Sequence, residues 1–192
     1  MGIIVENPGI QTTVQDEGRF GYQQFGVSPA GPMDIKSFYL ANILVGNKRS
    51  EGALELTFQG PRLKFTKDTI IAITGADMQP TLNGQSIPNY QALKVKAGDI
   101  LSFGFVNGAG CRSYLAFAGG LDIPLVMGSK STLMRNELGG MKGRKLEKGD
   151  KIEFVSPKTD LPNMDSRKLM PEKFPQKEIV LRVLTGPQDS DF

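Results

Sequence analysis

The residues best able to do chemistry lie in short polar stretches, and the first is TTVQDEGRFGYQQFGVSPAGPMD (12–34). Gln15, Asp16 and Arg19 fall within five positions of a glycine-rich loop, so one turn can gather an amide, a carboxylate and a guanidinium. Such a set suits a small polar ligand carrying a carboxylate or an amide, because Arg grips carboxylates through two parallel N–H bonds. The plainer alternative is an Asp–Arg pair that ties down the loop. A second stretch, TGADMQPTLNG (74–84), leaves a strongly apolar run and puts Asp77 at a strand end, where pockets form. Its alternative is a capped turn before a hairpin. Glu55 alternates with Leu54 and Leu56 and therefore points away from them, towards solvent or a barrel interior. Facing inward it needs a cationic partner, for which Arg112 and Arg135 are the candidates. A third stretch, AGGLDIPLVMGSKSTLMRNELGGMKGR (118–144), offers Ser129, Lys130, Ser131, Thr132 and Arg135 for an anion.

Several chemistries are excluded outright. The chain has no histidine, so it cannot run Ser-His-Asp or Cys-His catalysis by itself or build the common His-containing zinc sites. Acid–base work falls to Asp, Glu, Lys, Tyr or Arg, or to a partner. GSKST lacks the glycine spacing and the Gly-Lys pair of a phosphate-binding loop, which argues against ATP binding of that kind. Lys142 in GGMKGR lacks the flanking pattern of a biotin attachment site. The single cysteine, Cys111, reads as a small buried hydrophobe.

The elements that must position these residues are mostly strands. With 39% hydrophobic and 22% charged residues in 192, the composition is that of a globular protein. A net charge of +3 without a basic stripe gives no sign of nucleic-acid binding. No apolar run is long enough to span a bilayer, residues 1–8 lack the basic region and apolar core of a signal peptide, so export is not expected, and one cysteine suits a reducing cytoplasm. Short runs rich in Ile, Val, Phe and Tyr are expected as strands at 2–7, 53–58, 69–75, 99–106 and 112–119. Asn83-Gly84 signals a type I′ hairpin. Only MDIKSFYLANILVGN (33–47) has helical spacing, with Asp34 as N-cap, Gly46 as stop, and an apolar stripe from Ile35 through Phe38, Tyr39, Ala41 and Asn42 to Leu44 and Val45. A Gly-Asp turn followed by alternation occurs twice, in AGDILSF (97–103) and KGDKIEF (148–154). Many short strands with one principal helix predict a mainly β fold, a closed or nearly closed β-barrel, over residues 1–155. The proline- and charge-rich residues 156–177 read as a linker, and 178–192 as the first strand of a truncated second domain.

Taken in order, PGIQTTVQDEGRFGYQQFGV, GPMD, NILVGN, ALELTFQGP, ITGADMQPTLNG, KAGDILSFG, CRSYLAFAGGLDIP, GSKST, GGMKGRKLEKGD and RVLTGPQD resemble the family of the bacterial 5-oxoprolinase C subunit. That family is also called allophanate hydrolase subunit 2 or biotin-dependent carboxyltransferase. The resemblance covers nearly the whole chain and implies a cyclophilin-like β-barrel, two per full-length member. It implies work beside 5-oxoprolinase B and A subunits, with ATP used by one of these partners to open 5-oxoproline, a lactam, to glutamate. Related domains resemble carboxyltransferases that take the carboxyl of carboxybiotin, held on a partner, to urea; another relative antagonises a sporulation-kinase inhibitor. This chain is then expected to bind no cofactor or metal directly and to be inactive alone, as part of a cytoplasmic complex. The matching motifs nominate Asp16, Glu55 and Asp77 for catalysis. They nominate Gln15, Arg19, Asp34, Thr74, Arg112 and Arg135 for substrate binding, with Arg19 or Arg135 favoured for the ligand carboxylate. Pro29 and Pro32 stand where relatives often read Ser-Gly-Ala, a departure that bears on the loop.

Overall fold

Two burial patterns divide the strands. The structure is a computed structural model describing residues 2–170 and, beyond them, residues 178, 180, 182–184, 186 and 187. Where apolar and polar residues alternate, as in Arg62–Phe65 and Lys151–Phe154, only every second side chain is buried. In Ala53–Thr57 and Thr69–Gly75, by contrast, nearly every residue is buried, Glu55 and the threonines included. The first pattern belongs to a sheet with one wet face, the second to a sheet covered on both.

In chain order the elements are β1 (Ile3–Asn7), β2 (Gln11–Gln15), α1 (Ile35–Leu44), β3 (Ala53–Thr57), β4 (Arg62–Phe65) and β5 (Thr69–Gly75). There follow β6 (Thr81–Leu82), β7 (Gln85–Ser86), β8 (Ala92–Val95), β9 (Ile100–Ser102), β10 (Arg112–Phe117), β11 (Leu121–Asp122) and β12 (Lys151–Phe154). One sheet has the order β11-β12-β1-β4-β9-β6-β7 and the other β2-β3-β10-β5-β8. The principal core lies between them: Ile3, Val5, Leu63, Phe65 and Leu101 meet Val14, Leu54, Leu56, Ile71, Ile73 and Leu115. On the opposite face of the five-stranded sheet, Phe38, Ala41, Leu44 and Val45 from and just after α1 pack on Ala53, Ile70, Ala72, Tyr114 and Ala116. The alanines let the helix approach closely. The fold is mainly β, as expected, but the two sheets do not close into a barrel. Irregular chain occupies the edges instead. Thr132 N–H donates to Val14 O and Leu146 N–H to Thr12 O along β2, while Ala92 of β8 donates to Arg167 O.

Local signals account for much of this. Asp34 caps α1 by accepting from Ser37 N at 3.0 Å and from Ser37 Oγ at 2.6 Å. Gly46 follows in the left-handed region at φ 69°. Ile35, expected on the apolar stripe, is instead half exposed, while Phe38, Ala41 and Leu44 are buried. Asn83 and Gly84, both at positive φ, turn β6 into β7. The repeated Gly-Asp turns are structural equivalents: Asp99 accepts from Lys96 N, Asp150 from Glu147 N, and they feed β9 and β12 of the same sheet. Within the expected linker, Leu161 is buried and Arg167 Nη1 donates to Ile43 O and Leu44 O, at the carbonyl end of α1. The residues expected to open a second domain lie largely outside the described ones.

Candidate active site

Asp16 and Arg19 are locked into the architecture. The Asp16 carboxylate accepts from Gly18 N, Ser129 Oγ and Ser131 Oγ on one oxygen and from Lys130 N on the other. Burial pushes this carboxyl up, but the four hydrogen bonds outweigh burial and hold it below the ordinary value of 3.8. The loop 129–132, which could have received an external anion, thus turns its donors inward onto Asp16. It does for an internal carboxylate what a phosphate-cradling loop does for its ligand. Arg19 is 1% exposed; its Nη2 donates to Ser131 O and its Nε to Val126 O. Burial lowers its pKa, opposed by the nearby Asp16 charge. Gln15 joins this cluster, donating to Thr13 Oγ1 and Thr132 O and accepting from Gly31 N.

A second carboxylate–guanidinium cluster is arranged differently. The registers Thr13↔Glu55, Glu55↔Tyr114 and Tyr114↔Thr74 lay one row across β2, β3, β10 and β5 on the face covered by α1. Glu55 Oε2 accepts from Tyr114 Oη at 2.7 Å and from Met33 N at 2.8 Å. Tyr114 Oη in turn accepts from Asp34 N at 2.7 Å. Burial, then the Glu55 charge, raises the Tyr114 pKa far above a free phenol, so it remains a hydrogen-bond donor at any physiological pH. Glu55 Oε1 faces Arg112 Nε at 3.6 Å. Of the two arginines considered for Glu55, Arg112 is therefore its partner. The Arg112 side chain is 20% exposed, and its buried Nε has no hydrogen bond. Its Nη1 lies 3.4 Å from Cys111 Sγ, and Cys111 is half-buried, not fully enclosed.

One oxygen of Glu55 is thus fixed by two donors while the other stays open beside a partly exposed guanidinium. Chemically, a carboxylate so held can take up or release a proton at Oε1, and a guanidinium so placed can bind a carboxylate or carbonyl. Asp34 and Thr74 support it from behind: Thr74 Oγ1 donates to Ser37 O in the first turn of α1. The other nominated residues lie elsewhere. Asp77 is exposed at the end of β5, where its Oδ1 accepts from Gln79 N and Asn89 Nδ2. Arg135 sits exposed on a short 3-10 turn, Met134–Asn136. Spacing did not nominate Tyr114 or the Met33 amide, since a tyrosine within RSYLAF reads simply as core. Among the described residues no three His, Cys, Asp or Glu side chains gather to hold a metal, and no helix is long and apolar enough to cross a membrane.

Known proteins share this framework. Residues 25–192 match the family described as carboxyltransferase domain, subdomain A and B. Urea amidolyase of Saccharomyces cerevisiae is 42% identical over 192 residues, covering 96% of this chain and 10% of that protein. The 5-oxoprolinase C subunit of Escherichia coli is 37% identical over 184 residues, covering 96% of this chain and 57% of that protein. The chain therefore spans a small part of the first and a little over half of the second. Among solved structures, Kluyveromyces lactis urea carboxylase superposes with a TM-score of 0.80 at 40% identity, covering 90% of this chain and 16% of that one. The protein TTHA0988 does so with a TM-score of 0.80 at 34% identity, covering 98% and 68%. On the strength of these matches, the chain belongs to the carboxyltransferase-domain family, subdomains A and B.

Proposed function

We propose that this protein serves as a subunit of a heteromeric 5-oxoprolinase, opening the lactam of 5-oxoproline to L-glutamate at the expense of ATP. The supporting observation is its likeness to the 5-oxoprolinase C subunit, of which it spans 57% at 37% identity. The B and A subunits complete the assembly, and ATP is handled on one of them. In this reading Arg112 binds the carboxylate of 5-oxoproline. Glu55 Oε1 exchanges a proton with the lactam amide or with water at its carbonyl. Tyr114 and the Met33 amide hold the other carboxylate oxygen, so Glu55 cannot turn away from the reacting group. Asp34 and Thr74 fix the helix start that carries Met33. Asp16, Arg19 and Gln15 keep the neighbouring loops in place.

A second reading is carboxyl transfer from carboxybiotin on a partner to urea or a similar amide. The 42% identity to urea amidolyase favours it. The biotin would supply an activated carboxyl group, and Arg112 and Glu55 would hold the acceptor. Reconstitution with the A and B subunits, assayed for 5-oxoproline-dependent ATP hydrolysis, separates the two. Turnover that requires this protein supports the first. No 5-oxoproline turnover in the full assembly, with urea carboxylation on adding a biotin carboxylase, replaces it by the second.

A further inference from the structure

The chain contains two Asn-Gly pairs, Asn83-Gly84 and Asn107-Gly108. Such a pair can rearrange without a catalyst, because glycine lets its peptide nitrogen approach the neighbouring side chain. That nitrogen attacks the asparagine amide carbon, and the new C–N bond closes a cyclic imide. The side-chain nitrogen leaves as ammonia, taking up the proton that the peptide nitrogen gives up. Water then opens the ring. Hydrolysis at one carbonyl leaves aspartate; at the other it leaves isoaspartate, whose chain runs on through the former side chain. No oxidant or reductant enters.

Exposure does not separate the two pairs. All four residues are exposed, and a Cβ added to either glycine would meet nothing within 4 Å. Hydrogen bonding does separate them. Asn83 Nδ2 donates to Asp99 Oδ1 at 2.8 Å, and Asn83 Oδ1 accepts from Ile100 N at 2.8 Å. The Asn83 side chain therefore cannot turn onto Gly84 N without losing both bonds. At Asn107 only the backbone is held, Asn107 N donating to Asp77 O at 2.7 Å. The Asn107 side chain and the Gly108 N–H have no hydrogen-bond partner among the described residues. We propose that Asn107 is a modification site, converted spontaneously through the imide to aspartate and isoaspartate, while its hydrogen bonds hold Asn83 back. Residues 107–110 run directly into Cys111 and Arg112, so either product adds a negative charge on the approach to that guanidinium. Isoaspartate also lengthens the backbone there by a methylene.

The test is peptide mapping by mass spectrometry of the folded protein aged at mildly alkaline pH, with isoaspartate told from aspartate by fragmentation across its Cα–Cβ bond. A matched sample aged in urea removes the fold, and neither needs turnover to be read. In the folded protein, conversion should be about ten-fold or more faster at Asn107 than at Asn83, which must first give up two hydrogen bonds. In urea the two rates should come within about three-fold of each other, since both pairs then lie in open chain. Gly108→Ala should slow conversion of Asn107 by about ten-fold, as attack by that peptide nitrogen requires. Absence of conversion at Asn107 in the folded protein, equal rates at the two sites, a ratio that urea leaves unchanged, or no effect of Gly108→Ala would overturn the assignment.

Discussion

Asp16 with Arg19 and Glu55 with Arg112 are built from the same chemical parts and put to different ends. Asp16 has four donors on its two oxygens, and Arg19 is almost wholly enclosed. Glu55 has one oxygen satisfied and one facing an arginine that solvent still reaches. Saturation of a carboxylate makes it a rivet; leaving one lone-pair side open makes it available for chemistry. Residue type and local spacing alone do not distinguish the two.

Substitutions that strike one cluster and spare the other sharpen the contrast. Glu55→Gln keeps shape and hydrogen bonding but removes the proton acceptor. Turnover of the reconstituted assembly should fall by about 10²- to 10⁴-fold with little loss of stability. Asp16→Ala should act the opposite way. It removes the acceptor of four hydrogen bonds, two of them buried, and leaves the Arg19 charge uncompensated, a cost of about 3 to 5 kcal/mol visible as a lowered denaturation midpoint. Tyr114→Phe removes one of two donors to Glu55 Oε2 and leaves Asp34 N unpaired; about 1 kcal/mol of stability should go, with a smaller loss of turnover than in Glu55→Gln.

The subtlest effect concerns acid. The folded-state pKa of Asp16 lies below its unfolded value of 3.8, so the stability it contributes is fully present above that value. It is lost as pH falls through the depressed folded pKa. Acid titration of stability below about pH 4 should therefore be shallower in Asp16→Asn than in the parent. An equally steep limb in the variant would assign acid sensitivity to other carboxylates, such as Asp150 held low by Arg144.

Much of the frame was legible from local pattern. β5 runs over the expected residues 69–75, Asp34 caps the helix, and Asn83-Gly84 makes its hairpin. Each depends on residues a few positions apart. The pairing of Glu55 with Arg112 was legible in part, because alternation in ALELT put Glu55 on the face opposite the core leucines. The remainder depends on contacts distant in sequence. Loop 129–132 meets Asp16 across more than a hundred residues, and nothing in GSKST says that its donors point inward. Tyr114 gains its role from the register of four strands, which no single segment encodes. The barrel expectation failed for a similar reason: strand count does not reveal that loops, instead of strands, would occupy the edges of the second sheet.

The most direct measurement is the steady-state kinetics of Arg112→Gln in the reconstituted assembly, with 5-oxoproline as the varied substrate. If Arg112 holds the substrate carboxylate, KM should rise by about ten-fold or more while the protein stays folded, as loss of a charge-assisted hydrogen bond requires. An unchanged KM in a folded, assembled variant would contradict the placement of the site at Glu55 and Arg112.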